Sequence, residues 1–257
     1  MTAGRSPVRS RSGPGPTALA THTFFAVPPF ETGMSWRGLF ERADAFDVDV
    51  PAVRAALADQ REAATDERAT ADGRPDESEP TADPDRGPDS DPDRESEPDP
   101  VDSSPARVVA DADVLAADLL VGGDARDALD VARAHSWVTL VASDPLLDEA
   151  EAVVAALAAG DPDLAADWRT QIETLCEPVG HPAGDHPALA SAYRGGAMHV
   201  LTFAEGLRSA GAGAAIRGRV ETSVKHPRAF ATLFDPESLY EAVEGGEYPG
   251  PDRDPRE

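Results

Sequence analysis

Two aspartates follow a short apolar run in the middle of the chain. Val108, Val109 and Ala110 are compatible with a strand buried on both faces, and Asp111 and Asp113 stand where that strand would end. Ligands of open α/β sheets bind outside the carboxyl ends of the strands. A carboxylate there is a candidate ligand for a metal ion or a substrate. The alternative is that one of these aspartates caps the next helix, as Asp often does.

Two glutamates border the apolar face of a helix predicted after Ser143. With about 100° of rotation per residue, Glu149 lies about 40° outside the apolar arc that begins at Val153, and Glu151 lies at the opposite border. Either residue is therefore placed at the edge of the core. The alternative is an exposed acid that the dipole at the helix start favours.

A zinc site is not predicted. His181 and His186 flank Asp185 in a loop, but their spacing matches no standard zinc pattern, and each of them precedes a proline. Cys176 is the single cysteine of the chain, which excludes both a cysteine-based zinc site and a disulfide within the chain.

The elements that must position these residues lie between residues 106 and 240. Short apolar runs alternate there with helical stripes, the pattern of a parallel sheet covered by helices. We predict strands at 108–110, 137–142 and 198–202, a fourth strand within 214–224, helices at 125–134, 143–157, 163–175 and 185–193, and a closing helical segment at 230–240. The predicted fold is a three-layer α/β domain with a mainly parallel sheet of about four strands.

The remaining residues form four segments. Residues 1–33 are an extension that leaves the true start open between Met1 and Met34, residues 34–64 are a small helical pair, residues 65–105 are an acidic, proline-rich linker, and residues 241–257 are a tail. We predict disorder for the extension, the linker and the tail, because such compositions bury too little apolar surface to offset ordering entropy.

The helical pair carries two apolar stripes, one of which starts at Trp36 and the other at Val53. Two short helices bury little surface alone, so this pair can dock on the main domain, self-associate in a homodimer or bind a protein partner. We predict that it is a separate small unit. Reading of DNA by this pair is disfavoured, because only four arginines could contact phosphate: Arg37, Arg42, Arg54 and Arg61.

The chain is strongly acidic. It has 48 acidic against 23 basic residues, a net charge of −25, and Lys225 is its single lysine. We interpret this as adaptation to a cytoplasm with high salt, where screening makes a dense acidic surface tolerable. Binding of nucleic acid would then depend on metal ions or on local arginines. No apolar run approaches the roughly 18 to 20 residues that a membrane helix needs.

The order of these elements resembles PIN domains. The run Val-Val-Ala-Asp-Ala-Asp-Val-Leu from Val108 resembles their opening, and the similarity continues to about Asp235. Ser143 and Pro145 resemble the entry to the helix in which the family carries its second acid, which favours Glu149. Asp185, an Ala-rich helix, a Gly-rich turn and a strand ending in Thr resemble the second half of the family.

This resemblance implies a ribonuclease that uses Mg²⁺ or Mn²⁺, hard cations that take oxygen ligands. It implies Asp111, Glu149 and Asp185 as metal ligands and catalytic residues, with Asp113 nearby as a further ligand. The predicted substrate is RNA, and the candidate phosphate contacts are Thr202, Arg208, Arg217 and Arg219. A scatter of surface charges is the alternative for these arginines.

One position departs from the family pattern. Aligning the chain on Thr202 and Leu207 puts Ala204 where the fourth aspartate belongs, and Glu205 is the next residue. The second predicted function is therefore a catalytically degenerate PIN-like domain that acts as an RNA- or protein-binding regulatory module. Convergence of Asp111, Glu149 and Asp185 in space distinguishes the two.

Overall fold

A five-stranded parallel sheet forms the centre of the computed structural model, which describes residues 35–72, 101–182, 185–209 and 222–257. Its strands are β1 (Ser104–Ala110), β2 (Thr139–Ala142), β3 (Cys176–Pro178), β4 (Ala197–Leu201) and β5 (Ser223–Lys225). The order in the sheet is β3-β2-β1-β4-β5, and every described pair is parallel. The predicted three-layer α/β fold with a parallel sheet is confirmed, with five strands instead of about four.

Helices cover both faces of this sheet. The described helices are α1 (Trp36–Ala43), α2 (Val50–Asp72), α3 (Ala112–Leu120), α4 (Gly123–Ala134), α5 (Asp144–Leu157), α6 (Leu164–Leu175), α7 (Pro187–Arg194), α8 (Glu205–Arg208), α9 (Pro227–Leu233) and α10 (Pro236–Val243). The apolar α3, which follows β1 directly, is buried along its whole length. It therefore lies between the sheet and the outer helices and makes the centre of the core.

The strand order creates a switch point between β1 and β4. The chain builds outward from β1 to β2 and β3, then returns to the other side of β1 to place β4 and β5. The crossover connections of β1 and β4 therefore leave in opposite directions. In open α/β sheets, the carboxyl ends of two such strands flank the crevice in which ligands bind.

The N-terminal helical pair packs on the main domain, which corrects our prediction of a separate unit. Trp36, Leu39 and Phe40 of α1 and Val53 and Leu57 of α2 belong to the same hydrophobic core as the helices around the sheet. Each short helix carries an apolar stripe that is stabilised only when a larger surface covers it. The apolar stripes, for which we considered a protein partner, are thus buried against α3, α5 and α6 of the same chain.

The C-terminal tail is also ordered against the domain, so our prediction of disorder for residues 241–257 was wrong. The Tyr248 hydroxyl lies 2.7 Å from Nε2 of His135, and the backbone N–H of Ser136 donates to Asp252 at 2.8 Å. Tyr248 also packs at the edge of the Trp137 ring. These aromatic contacts supply the burial that the composition of the tail did not indicate.

Several predictions fall on residues outside the described ranges: the extension 1–33, linker residues 73–100, and Arg217 and Arg219. The first residues of the predicted linker are helical, because α2 continues to Asp72, and β1 already starts at Ser104. No helix in the described ranges is long and apolar enough to cross a membrane.

The imidazole of His199 on β4 makes the stability of the fold depend on pH. Burial and the nearby charge of Lys225 lower the pKa of His199 to about 4. Between pH 6.5 and 4 the unfolded chain therefore binds more protons at this residue, and stability falls as the pH falls through this window. We expect urea unfolding of wild type to show a steeper acid limb than His199→Phe. Above pH 7 the two slopes should agree; equal slopes between pH 4 and 6.5 would contradict this assignment.

A carboxylate site at the switch point of the sheet

The first two residues of the site lie at the adjacent carboxyl ends of β1 and β4. Asp111 directly follows β1, and Thr202 directly follows β4. The backbone N–H of Asp111 donates to the carbonyl oxygen of Leu201 at 2.8 Å, which fixes the two strand ends side by side. The sheet topology therefore places Asp111 and Thr202 at the switch point, the end of the sheet at which open α/β proteins bind ligands.

Asp111 and Asp113 share the hydroxyl of Thr202. Thr202 Oγ1 lies 3.0 Å from Oδ2 of Asp111 and 3.2 Å from Oδ2 of Asp113. The two aspartates have exposed fractions of 0% and 1%. A hydroxyl has one proton, so Thr202 can donate to only one of these buried carboxylates at a time.

The crowding of two acids shifts the ionisation of Asp113. Burial, followed by the negative charge of Asp111, raises the pKa of Asp113 to about 7. The backbone N–H of Phe203, 3.0 Å from Oδ2, and the hydroxyl of Thr202 oppose this shift only in part. Asp113 is therefore close to half-protonated at neutral pH, the behaviour of a carboxyl that lacks a sufficient positive partner.

Asp111 also caps α3, so both alternatives for this residue hold at once. Its Oδ1 accepts the backbone N–H of Ala112 at 2.9 Å at the helix start. This contact orients the carboxylate and leaves Oδ1 able to accept a second partner. A capping role and a ligand role are therefore compatible at this position.

Arg61 of α2 joins Asp111 to Glu149. Its Nη2 donates to Oε2 of Glu149 at 2.7 Å and to Oδ1 of Asp111 at 3.1 Å, and its Nε donates to Oε2 of Glu149 at 3.1 Å. Burial disfavours the charge of Arg61, but the hydrogen bond to Glu149 and the charge of Asp111 raise its pKa on balance. The guanidinium is thus a fixed positive charge within the acidic cluster.

Sequence reasoning considered Arg61 only as a phosphate contact and missed its place in the site. One signal was available. Val53, Leu57 and Arg61 are spaced four residues apart, so they lie on one face of α2, and the first two are buried. A charged residue that continues a buried stripe is directed at the domain and needs an acidic partner there.

Glu149 is positioned by the start of α5. The backbone N–H of Ser143, the residue before this helix, donates to Oγ of Ser191 in α7 at 3.0 Å. This buried contact ties α5 to α7. Glu149 then lies in the second turn of α5 with 23% of its side chain exposed, at the edge of the core that the helical periodicity predicted.

Asp185 is not drawn into this cluster. It is exposed, immediately before His186 at the start of α7, and among the described residues no hydrogen bond or ion pair connects its side chain to Asp111 or Glu149. His186 lies closer to the acids, since its pKa, which burial lowers, responds to the charges of Asp111 and Glu149. Neither ring nitrogen of His186 has a hydrogen-bond partner in the described structure.

The remaining predicted residues lie around the loop after β4. The backbone N–H of Ala204 donates to Oγ1 of Thr202 at 3.0 Å, so Ala204 borders the cluster. Nη2 of Arg208 donates to the carbonyl oxygen of Phe203 at 3.2 Å, while Glu205 is exposed at the start of α8. Of the three arginines predicted to contact phosphate, Arg208 is therefore the one within the described residues, and it contacts the loop next to the site.

The acids of the cluster have the chemistry of a Mg²⁺ or Mn²⁺ site, but in this structure two of them are paired with Arg61. Asp111, Asp113 and Glu149 offer carboxylate oxygens, which these cations prefer. In the described arrangement, however, Arg61 separates Glu149 from the aspartates, and no group of three His, Cys, Asp or Glu side chains in the described ranges is disposed to hold a metal ion.

Comparison with known proteins identifies a family for the main domain. The sequence pattern of DUF7384, a family of unknown function, matches residues 102–256, which is more than half of the chain. No curated protein and no solved structure matches the chain. The matched region contains Asp111, Asp113 and Glu149, whereas Arg61 lies before it. The chain belongs to the DUF7384 family.

Proposed function

We propose that this protein is a metal-dependent ribonuclease of the PIN-like type that cleaves RNA with Mg²⁺ or Mn²⁺. The observation that carries this proposal is the cluster of Asp111, Asp113 and Glu149 at the switch point of the sheet. An α/β protein has little structural reason to bury two neighbouring carboxylates at the position where its ligands bind. A divalent cation would remove their repulsion.

The acids of the cluster and the hydroxyl of Thr202 would have different roles. Asp111, Asp113 and Glu149 would hold the cation, whereas Asp185, a ligand that the resemblance implies, is exposed and has no described contact with them. The hydroxyl of Thr202 would help to orient Asp111 or Asp113, because it lies within hydrogen-bond distance of both and donates to one of them at a time. When bound, the cation would polarise a phosphoryl oxygen and lower the pKa of an attacking water.

Contacts to RNA must come from local cations, because the chain as a whole repels phosphate. Arg208 is the best-placed described candidate, since its guanidinium contacts the loop that follows β4. Arg217 and Arg219 remain predicted contacts. We place the enzyme in the cytoplasm, where its acidic surface suits high salt.

Cleavage of a labelled RNA at high KCl with Mn²⁺ tests this function. Asp111→Asn removes a charged ligand while keeping the volume of the side chain, so we expect at least a 10- to 100-fold lower rate, about the loss seen when metal-site residues are altered. Asp127→Asn, an exposed acid on α4, is the matched control and should cleave like wild type. Equal activity of wild type and Asp111→Asn would exclude this site as the source of cleavage.

A regulatory binding module is the second candidate, and two observations favour it. Ala204 occupies the position at which the PIN-like resemblance implies a fourth acid. In addition, Arg61 already forms ion pairs with Asp111 and Glu149 without a metal ion. If purified protein binds RNA at high KCl but cleaves none with Mn²⁺ or Mg²⁺, this second function takes precedence.

Restoring the missing acid is a direct test of the ligand set. Ala204 is half-buried and contacts Thr202 through its backbone, so Ala204→Asp would place a partly hydrated carboxylate at the border of the cluster. We expect this variant to bind Mn²⁺ about tenfold more tightly, a gain of about 1.4 kcal/mol. Glu205→Gln removes an exposed acid and should not change Mn²⁺ binding. Calorimetric titration measures both; equal affinity of Ala204→Asp and wild type would count against the ligand set.

A further inference from the structure

Arg61 takes the position that a bound cation needs. Its guanidinium uses Oδ1 of Asp111 and Oε2 of Glu149 as acceptors at 3.1 and 2.7 Å. Mg²⁺ and Mn²⁺ require carboxylate oxygens at about 2.0–2.2 Å, on the lone pairs that these hydrogen bonds occupy. A cation bridging the two acids would also lie next to a positive charge. Arg61 and a bridging divalent cation therefore exclude each other.

The position of Arg61 along α2 makes this exclusion reversible. Val53 and Leu57 are buried in the shared core and hold the first two turns of the helix on the domain. Beyond Arg61 most side chains of the helix are in solvent, since Glu62, Thr65, Asp66 and Glu67 are all exposed. The side chain of Arg61 is itself 31% exposed. It can turn toward solvent while the buried turns of α2 stay docked.

We propose that Arg61 is a built-in inhibitory cation, which keeps the carboxylate site closed to Mg²⁺ or Mn²⁺ until its side chain leaves Asp111 and Glu149. Because this inference rests on the proposed function, the two must be tested separately. The segment before the matched family region thus regulates the site within that region. A divalent cation would therefore occupy the oxygens of Asp111 and Glu149 only after the guanidinium has left them.

Titration of the full-length, metal-free protein with Mn²⁺ by calorimetry at high KCl tests this proposal. Arg61→Gln removes the positive charge and should tighten Mn²⁺ binding at least about tenfold, because the competitor is lost. Arg54→Gln, an exposed arginine on the same helix, is the matched control and should bind like wild type. Arg61→Lys keeps the charge but not the fork of the guanidinium, so its affinity should lie between those of wild type and Arg61→Gln.

The outcomes separate the two proposals. If Asp111→Asn abolishes Mn²⁺ binding but Arg61→Gln and Arg61→Lys bind no more tightly than wild type, inhibition by Arg61 is overturned and the metal site stands. A lower cleavage rate of Arg61→Gln with unchanged Mn²⁺ affinity would also overturn it, and would make Arg61 a substrate contact. If Mn²⁺ binds equally with and without Asp111, or binds neither wild type nor Arg61→Gln, both proposals fail. Thermal unfolding of each metal-free variant verifies that it is folded.

Discussion

Replacing Arg133 with Met is expected to lower the free energy of unfolding by about 3–5 kcal/mol, the usual cost of removing one partner from a buried ion pair. Arg133 of α4 donates to both carboxylate oxygens of Asp118 in α3, and the two side chains are only 2% and 0% exposed. The variant leaves Asp118 charged, buried and without this partner. In wild type the guanidinium of Arg133 also lies 4.1 Å from the centre of the Trp36 ring, so docking of α1 should weaken in the variant as well. Urea unfolding at neutral pH measures the loss.

A double variant separates the ion pair from simple loss of packing. Asp118→Leu in the Arg133→Met background removes the stranded charge, so we expect it to recover much of the lost stability. Arg54→Met changes an exposed arginine and should stay within about 0.5 kcal/mol of wild type. If Arg133→Met alone costs less than about 1 kcal/mol, this buried pair does not hold α3 and α4 together in the way its geometry indicates.

Much of the sheet could be predicted because its central strands are buried on both faces. β1, β2 and β4 contain continuous apolar runs, and each was placed to within a few residues. β3 was missed and interpreted as loop, because Cys176–Pro178 has three residues and no apolar run. Its place in the sheet comes from parallel pairing with β2, a tertiary contact that leaves no local pattern.

In the site, too, the residues marked by a local pattern could be predicted and the long-range contacts could not. Asp111 and Asp113 could be predicted because an acid directly after an apolar strand marks a strand end, and Glu149 because helical periodicity places it at the border of the core. The partners of Arg61 could not be predicted, because Asp111 and Glu149 lie 50 and 88 positions away from it in the chain. Local patterns carry no information about which helix a distant segment will contact, so a docked N-terminal pair and a separate one look alike in sequence.

The acids of the site impose a cost on the metal-free protein, and Asp113 bears much of it. Its pKa rises from an unfolded value near 3.8 to about 7 in the folded protein. Between these values the unfolded chain binds fewer protons than the folded one, so the contribution of Asp113 lowers stability as the pH rises from 4 to 7. Above pH 7 both states are ionised and the full cost remains. At about 1.4 kcal/mol per pKa unit, a shift of this size corresponds to a cost on the order of 4 kcal/mol.

Asp113→Asn is therefore expected to stabilise the metal-free protein at pH 8 by on the order of 4 kcal/mol and to have little effect at pH 4. The amide oxygen in the place of Oδ2 still accepts the N–H of Phe203, and the NH₂ group in the place of Oδ1, 3.4 Å from Oγ1 of Thr202, can donate to that hydroxyl. Urea unfolding of wild type and variant in chelator, from pH 4 to 8, gives the difference directly. Asp127→Asn, an exposed acid, should show no pH-dependent difference from wild type.

Mn²⁺ should reduce this difference in stability. If a cation binds at the proposed site of Asp111, Asp113 and Glu149, wild type should gain stability, because a ligand that binds only the folded state stabilises it by mass action. Asp113→Asn has one charged ligand fewer, so its stability should rise less on addition of Mn²⁺ at pH 8. A difference between the two proteins that is the same at every pH would show that burial of the Asp113 charge is not the cause. A difference that Mn²⁺ leaves unchanged would show that Asp113 does not contribute to the metal site.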